Sequence, residues 1–129
     1  MPFSLKLLFL VLLAGTLGTL CRFTGTRLLA GLSGSFPFAT LTVNLLGSFL
    51  AGFLFVLFKN RFLSVEPYLP VLFIGFLGAF TTFSTFALES SHMILAGAYW
   101  KAAGNIVLQN VSGILAVLLG MAACRSLIL

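Results

Sequence analysis

A chain of 129 residues that is 60% hydrophobic and only 7% charged, with a mean hydropathy of +1.21, has too few polar side chains to cover a water-soluble surface. The bilayer must therefore serve as its main solvent and first partner. The net charge of +5 would point to nucleic acid in a soluble domain, but the seven Lys and Arg stand at the ends of apolar segments, where they anchor a chain at the membrane interface, so nucleic acid is excluded.

Charge-free stretches run from Leu7 to Cys21, Leu28 to Phe58, Pro67 to Leu88 and Ala102 to Cys124, and about 20 apolar residues suffice for a helix to cross. The second stretch is too long for one helix and is interrupted by Gly31-Leu-Ser-Gly-Ser-Phe-Pro37. The pattern predicts an all-α, single-domain membrane protein with four spans, at about 4–30, 38–58, 69–97 and 100–127.

In the first span, Lys6 and the apolar run behind it also fit a signal peptide, but no soluble domain follows for export, so a retained helix is expected. Leu20 stands before Cys21 where lipoprotein processing requires a small residue. Cys21 and Cys124 both fall in apolar surroundings without metal-ligand spacing and are expected to be small buried hydrophobes. Gly15 and Gly18, Ser48 and Gly52, Gly75 and Gly78, and Gly113, Ala116 and Gly120 put small residues at helical spacing, which lets helices approach closely.

Polar side chains inside the spans are costly in hydrocarbon and need a partner or a function. On the second span Thr40, Asn44 and Ser48 share one helix face, and on the fourth so do Asn105, Gln109 and Ser112 or Gly113. These stripes either bond one helix to another or line water, and the residues alone leave both open. The third span carries the most specific feature, Gly75-Phe-Leu-Gly78-Ala79-Phe80-Thr81-Thr82-Phe83-Ser84-Thr85-Phe86. Glycines followed by paired threonines weaken a helix, and irregular backbone at membrane depth is tolerated only inside protein or along a cavity, where its amides and carbonyls can bind ions. The third helix is therefore expected to be broken in mid-membrane. Further on, Glu89 and His92 lie at i, i+3 and suit either a proton relay or, by preference, a Glu89 hydrogen-bonded near a pore mouth.

With four spans, Lys6, Lys59, Arg61 and Arg125 fall on one side and Arg27, Lys101 and Arg22 on the other. So small a bias predicts insertion in both orientations, and oppositely oriented chains can close as an antiparallel two-fold dimer. The plain alternative is a single orientation with the N-terminus inside.

Across essentially its whole length the chain resembles the Fluc (CrcB-like) fluoride-channel family. The resemblance is carried by Gly15-x-x-Gly18-x-x-x-Arg22, by Thr40-Leu-Thr-Val-Asn44-Leu-Leu-Gly47-Ser48-Phe49, and above all by Gly75-x-x-Gly78-x-x-Thr81-Thr82-Phe83-Ser84-Thr85-Phe86-x-x-Glu89. It implies a passive, multi-pass channel of the bacterial plasma (inner) membrane, built as an antiparallel, dual-topology homodimer with two pores and a central structural sodium ion. It further implies that Asn44 donates to fluoride, that Phe83 and Phe86 face the pores edge-on, and that Ser84 adds a hydroxyl. By the same resemblance, backbone carbonyls of Gly78 and Thr81 hold the sodium, and Arg22 stands near the vestibule with Glu89. Thr40, Asn105 and Gln109 join the polar track. Two departures stand out: Gly78-Ala79 where the family often has Gly-Gly, and Asn105 and Gln109 where many relatives carry Tyr, Ser or Thr.

The residue types suit the ion. Fluoride is small and strongly hydrated, so a dry pore must replace its water with neutral donors, which Asn, Gln, Ser and Thr supply. Aromatic rings have a positive edge, and conduction needs sites weak enough to release the ion. A proton-coupled small multidrug exporter is the principal alternative, but it needs a carboxylate on the first span, and none precedes Glu66. A non-selective pore would need no polar stripes. No nucleophile–base pair or metal-ligand set stands in a plausible site, so no enzymatic function is expected.

Overall fold

The computed structural model describes residues 4–32, 34–61 and 63–128. Among these residues the chain is helical nearly throughout: α1 (Leu5–Leu29), α2 (Phe38–Arg61), a π-helical segment (Val71–Leu77) that runs into a single α-turn, α3 (Gly78–Phe80), then α4 (Phe83–Leu95) and α5 (Tyr99–Ile128). Four helical stretches are long and apolar enough to cross a membrane: Leu5–Leu29, Phe38–Asn60, Glu66–Leu95 and Tyr99–Ile128.

The joints follow from local chemistry. Pro37 stands immediately before α2, where a missing amide hydrogen costs nothing because the first turn has no acceptor for it, and its carbonyl accepts the Leu41 amide at 3.1 Å. Between α4 and α5, Gly97 adopts φ +73°, a left-handed conformation strained for a residue with a Cβ. The turn is closed by Gly97 N–H on Ile94 O at 3.0 Å and Ala98 N–H on Met93 O at 2.8 Å, the paired bonds of a Schellman motif.

Packing rests on bare backbone. The largest helix contact joins α2 to α5, and α1 lies along the π-segment and α3. A Cβ at Gly52 would strike the Val117 carbonyl, one at Gly120 the Phe49 carbonyl, and one at Gly18 the Phe76 carbonyl. A Cβ at Gly75 would press on Ala14 Cβ at 3.0 Å. These glycines set the crossing distances, and in lipid such close van der Waals packing is the main force between helices. Leucine and phenylalanine cover the outer surface, as lipid contact requires, and Tyr99 and Trp100, largely exposed, stand at the start of α5 where an aromatic belt forms. Cys124 is fully buried and Cys21 half-buried.

The helical path is interrupted between α3 and α4. Thr81 (φ −84°, ψ 161°) and Thr82 (φ −148°, ψ 115°) are both extended, and Thr82 then caps α4 by accepting the Thr85 amide on its hydroxyl. This irregular pair, flanked upstream by the π-segment, organises the site.

Candidate functional site

Two extended residues within a helix leave backbone groups that need partners. The Thr82 amide donates to Asn44 Oδ1 at 2.8 Å, and Asn44 Nδ2 donates to the Thr82 carbonyl at 3.0 Å. A primary amide is chemically a copy of the peptide group, so Asn44 pairs with Thr82 as a neighbouring strand would. Nδ2 also donates to Gln109 Oε1 at 3.0 Å, so both of its hydrogens are committed within the chain. In an unbroken helix the amides of Thr82 and Thr85 would bond the carbonyls of Gly78 and Thr81. Here Asn44 takes the first and the Thr82 hydroxyl takes the second, at 3.2 Å. The Thr82 hydroxyl in turn donates to Thr85 Oγ1 at 3.0 Å and lies 3.5 Å from Ser84 Oγ.

Two clefts meet at this break. The first, of about 370 Å³, is lined by Asn44, Ser48, Gly78, Thr81, Thr82, Phe83, Phe86 and Gln109, among others. Within it the Phe83 and Phe86 rings meet edge to face, with centroids 5.4 Å apart and planes at 64°. Phe86 is buried, whereas Phe83 is 75% exposed. The second cleft, of about 610 Å³, is lined by Thr19, Arg22, Thr40, Thr82, Thr85 and Glu89 together with more apolar neighbours. There the Thr40 hydroxyl donates to Glu89 Oε1 at 2.6 Å, while Glu89 Oε2 is buried without a partner among the described residues. Arg22 Nη1 approaches the Thr81 carbonyl at 3.5 Å. Thr82 lines both clefts and stands between them.

The polar stripe of α2 is thus divided. Asn44 and Ser48 line the first cleft, and Thr40 lines the second with Arg22 and Glu89. The α5 stripe is divided too. Gln109 meets Asn44, but Asn105 is fully buried and donates to Ser90 Oγ at 2.9 Å, tying α5 to α4 away from the residues that line either cleft. Ser84 is exposed beside Thr82, and His92 is exposed on α4. The sequence alone leaves Thr82 without a role, although it bonds Asn44 and Thr85 and lines both clefts. Its signal is its place as the second of two threonines three residues ahead of Thr85, the spacing at which a hydroxyl caps a helix.

The profile of the family described as "CrcB-like protein, Camphor Resistance (CrcB)" matches residues 9–121. A protein of Legionella pneumophila (strain Paris) named "Fluoride-specific ion channel FluC" is 42% identical over 120 residues, 92% of this chain and 90% of its own length. A protein of the same name from Vibrio parahaemolyticus is 40% identical over 89% of this chain and 91% of its own, and one from Magnetococcus marinus is 40% identical over 89% and 94%.

Proposed function

This chain belongs to the CrcB-like family, and we propose from that membership that it forms a fluoride-selective channel. It is a multi-pass protein of the bacterial inner membrane, and a channel, not an enzyme. It lets fluoride leave the cell down its gradient and so relieves fluoride toxicity. The observation that carries this reading is the near full-length identity to proteins named for that activity, joined to a cleft that gathers neutral amides and two edge-to-face phenylalanines at a helix break. Neutral donors and ring edges suit a small anion that must be bound and then released.

The working unit in this proposal is an antiparallel homodimer with two pores and a helix break at membrane depth. Its support is that Gly78, Phe83, Ser84 and Thr85 are exposed on the single chain. Hydroxyls and an interrupted backbone do not face lipid, so a protein surface or water must cover them. A second copy in the opposite orientation fits the weak charge bias. A structural sodium ion belongs to the same proposal: the Gly78 and Thr81 carbonyls have lost their helical amide partners to Asn44 and Thr82, although Arg22 Nη1 stands 3.5 Å from the second. When bound, the ion would offset the dipoles of these carbonyls, and the chain's part is to keep those oxygens free of amide donors.

Purified protein in liposomes loaded with fluoride is expected to release it and to retain chloride. Equal release of the two anions would sink the proposal in favour of a non-selective pore.

A further inference from the structure

Two buried polar residues meet between α4 and α5, in the lining of neither cleft. Asn105 is fully buried, Ser90 is 5% exposed, and Asn105 Nδ2 donates to Ser90 Oγ at 2.9 Å. The other end of the amide, Oδ1, is buried with no hydrogen-bond partner among the described residues. A buried acceptor left unpaired costs at least as much as a typical hydrogen bond contributes, so this amide adds little to the stability of the bundle. It resembles the buried Asn of a coiled coil, which gives up stability to fix the register of its helices.

α4 is a helix whose register needs fixing. It has 13 residues and starts after the extended Thr81 and Thr82, so no helical ladder carries its position over from α3. The side-chain bonds from Asn44 to Thr82 and from Thr40 to Glu89 tie it to α2, and Asn105 to Ser90 is the one side-chain hydrogen bond between α4 and α5 among the described residues. Helices packed on each other and joined by so short a turn, residues 96–98, run antiparallel. Phe86 precedes Ser90 by four residues and Gln109 follows Asn105 by four, so the rung that joins 90 to 105 brings 86 level with 109. Both of these residues line the first cleft, and Phe86 and Ser90 are the buried residues of α4.

We infer that Asn105 is a positioning residue and not a ligand of the ion: its bond to Ser90 fixes how far α4 stands along α5, and so where Phe86 stands in the first cleft. This rests on the fluoride-channel reading and names a residue outside the cleft on which the selectivity of that site depends.

The test is fluoride and chloride efflux from liposomes, with gel filtration and thermal unfolding in detergent, for Ser90→Ala, Asn105→Leu, the two combined, and the exchange Ser90→Asn with Asn105→Ser. Asn105→Leu removes the bond and the unpaired oxygen together, and Ser90 left alone can donate to the carbonyl four residues back, so its unfolding temperature is expected to equal or exceed that of the wild type. Each single variant is expected to lose roughly tenfold in the ratio of fluoride to chloride flux, because Phe86 is no longer held in place. The combined variant should lose no more than either alone, and the exchange, which rebuilds the bond from the opposite sides, should recover the ratio to within about threefold of the wild type. A wild-type ratio in Ser90→Ala beside a defective Asn105→Leu would show that Asn105 meets the ion itself, and would overturn the inference. So would efflux that falls in step with unfolding temperature at an unchanged ratio, the mark of a bond that only holds the bundle together, or an exchange no better than the single variants. Ser90→Ala and the exchange carry the decision by themselves should Asn105→Leu not fold. A wild type that passes no fluoride would instead overturn the channel reading.

Discussion

Asn44 of α2 holds the backbone of Thr82, 38 residues further on, by both its amide and its carbonyl, at 2.8 and 3.0 Å. One side chain thereby satisfies the irregular backbone and diverts an amide from the Gly78 carbonyl. The break is a packed feature, fixed from a neighbouring helix, and its energetics can be tested there.

Asn44→Ala leaves the Thr82 amide and carbonyl without partners, and each such group costs about 1–3 kcal/mol when buried. A lower unfolding temperature in detergent and a loss of fluoride efflux are expected. Asn44→Asp still accepts the Thr82 amide but sets its second oxygen against the Thr82 carbonyl, an acceptor that cannot turn to donate, so it should restore no more efflux than alanine. Wild-type efflux from Asn44→Asp would show that the two donated bonds are idle.

Gly52 and Gly120 allow α2 and α5 to touch backbone to backbone, whereas Gly104 of α5 has open space where a Cβ would lie. Gly52→Ala and Gly120→Ala are expected to destabilise by about 1–3 kcal/mol, because the obstructing atoms belong to the main chain. Gly104→Ala should be neutral or stabilising by up to about 1 kcal/mol, since alanine is the better helix former. Thermal unfolding of the three variants separates the cases, and equal shifts would mean that the crossing is not set by these glycines.

A Cβ at Gly47 would meet the Thr81 methyl and, at 3.2 Å, the Phe80 ring. Gly47→Ala therefore pushes on the break itself. Its fluoride efflux should fall several-fold more than that of Gly52→Ala at a matched loss of stability. If efflux simply tracks stability across both variants, the break has no special sensitivity.

Orientation is tested at Asn60, exposed near the end of α2. With Cys21 and Cys124 replaced by alanine, Asn60→Cys should be labelled by a membrane-impermeant maleimide from both faces of the membrane. Labelling from one face alone would rule out the antiparallel dimer.

The proposed structural cation makes a separate demand. Replacing all sodium by a large organic cation should lower efflux or dimer stability, because the Gly78 and Thr81 carbonyls would then lose the ion proposed to offset their dipoles. A sodium gradient by itself should move no fluoride. Uphill fluoride movement driven by sodium would make the protein a transporter.

The run of apolar residues along the chain determined by itself that this is a membrane protein of four spans, because hydropathy over about 20 residues depends on no other part of the chain. The weak point in the third span was equally legible, since Gly78 and the paired threonines disfavour a helix locally. Helical periodicity also placed Thr40, Asn44 and Ser48 on one face, and Asn105 and Gln109 on another. Periodicity names a face but not its neighbour, and there the tertiary structure decided. The α2 face spans two clefts with Thr82 between them, so Thr40 bonds Glu89 while Asn44 bonds Thr82. Asn105 and Gln109, one turn apart and chemically alike, part company because Ser90 of α4 packs against the first and Asn44 of α2 against the second. Which end of each amide is spent depends on donors and acceptors brought close only by folding. A hydrogen bond acts over about 3 Å, a distance that helix crossings set and residue order along a single helix does not.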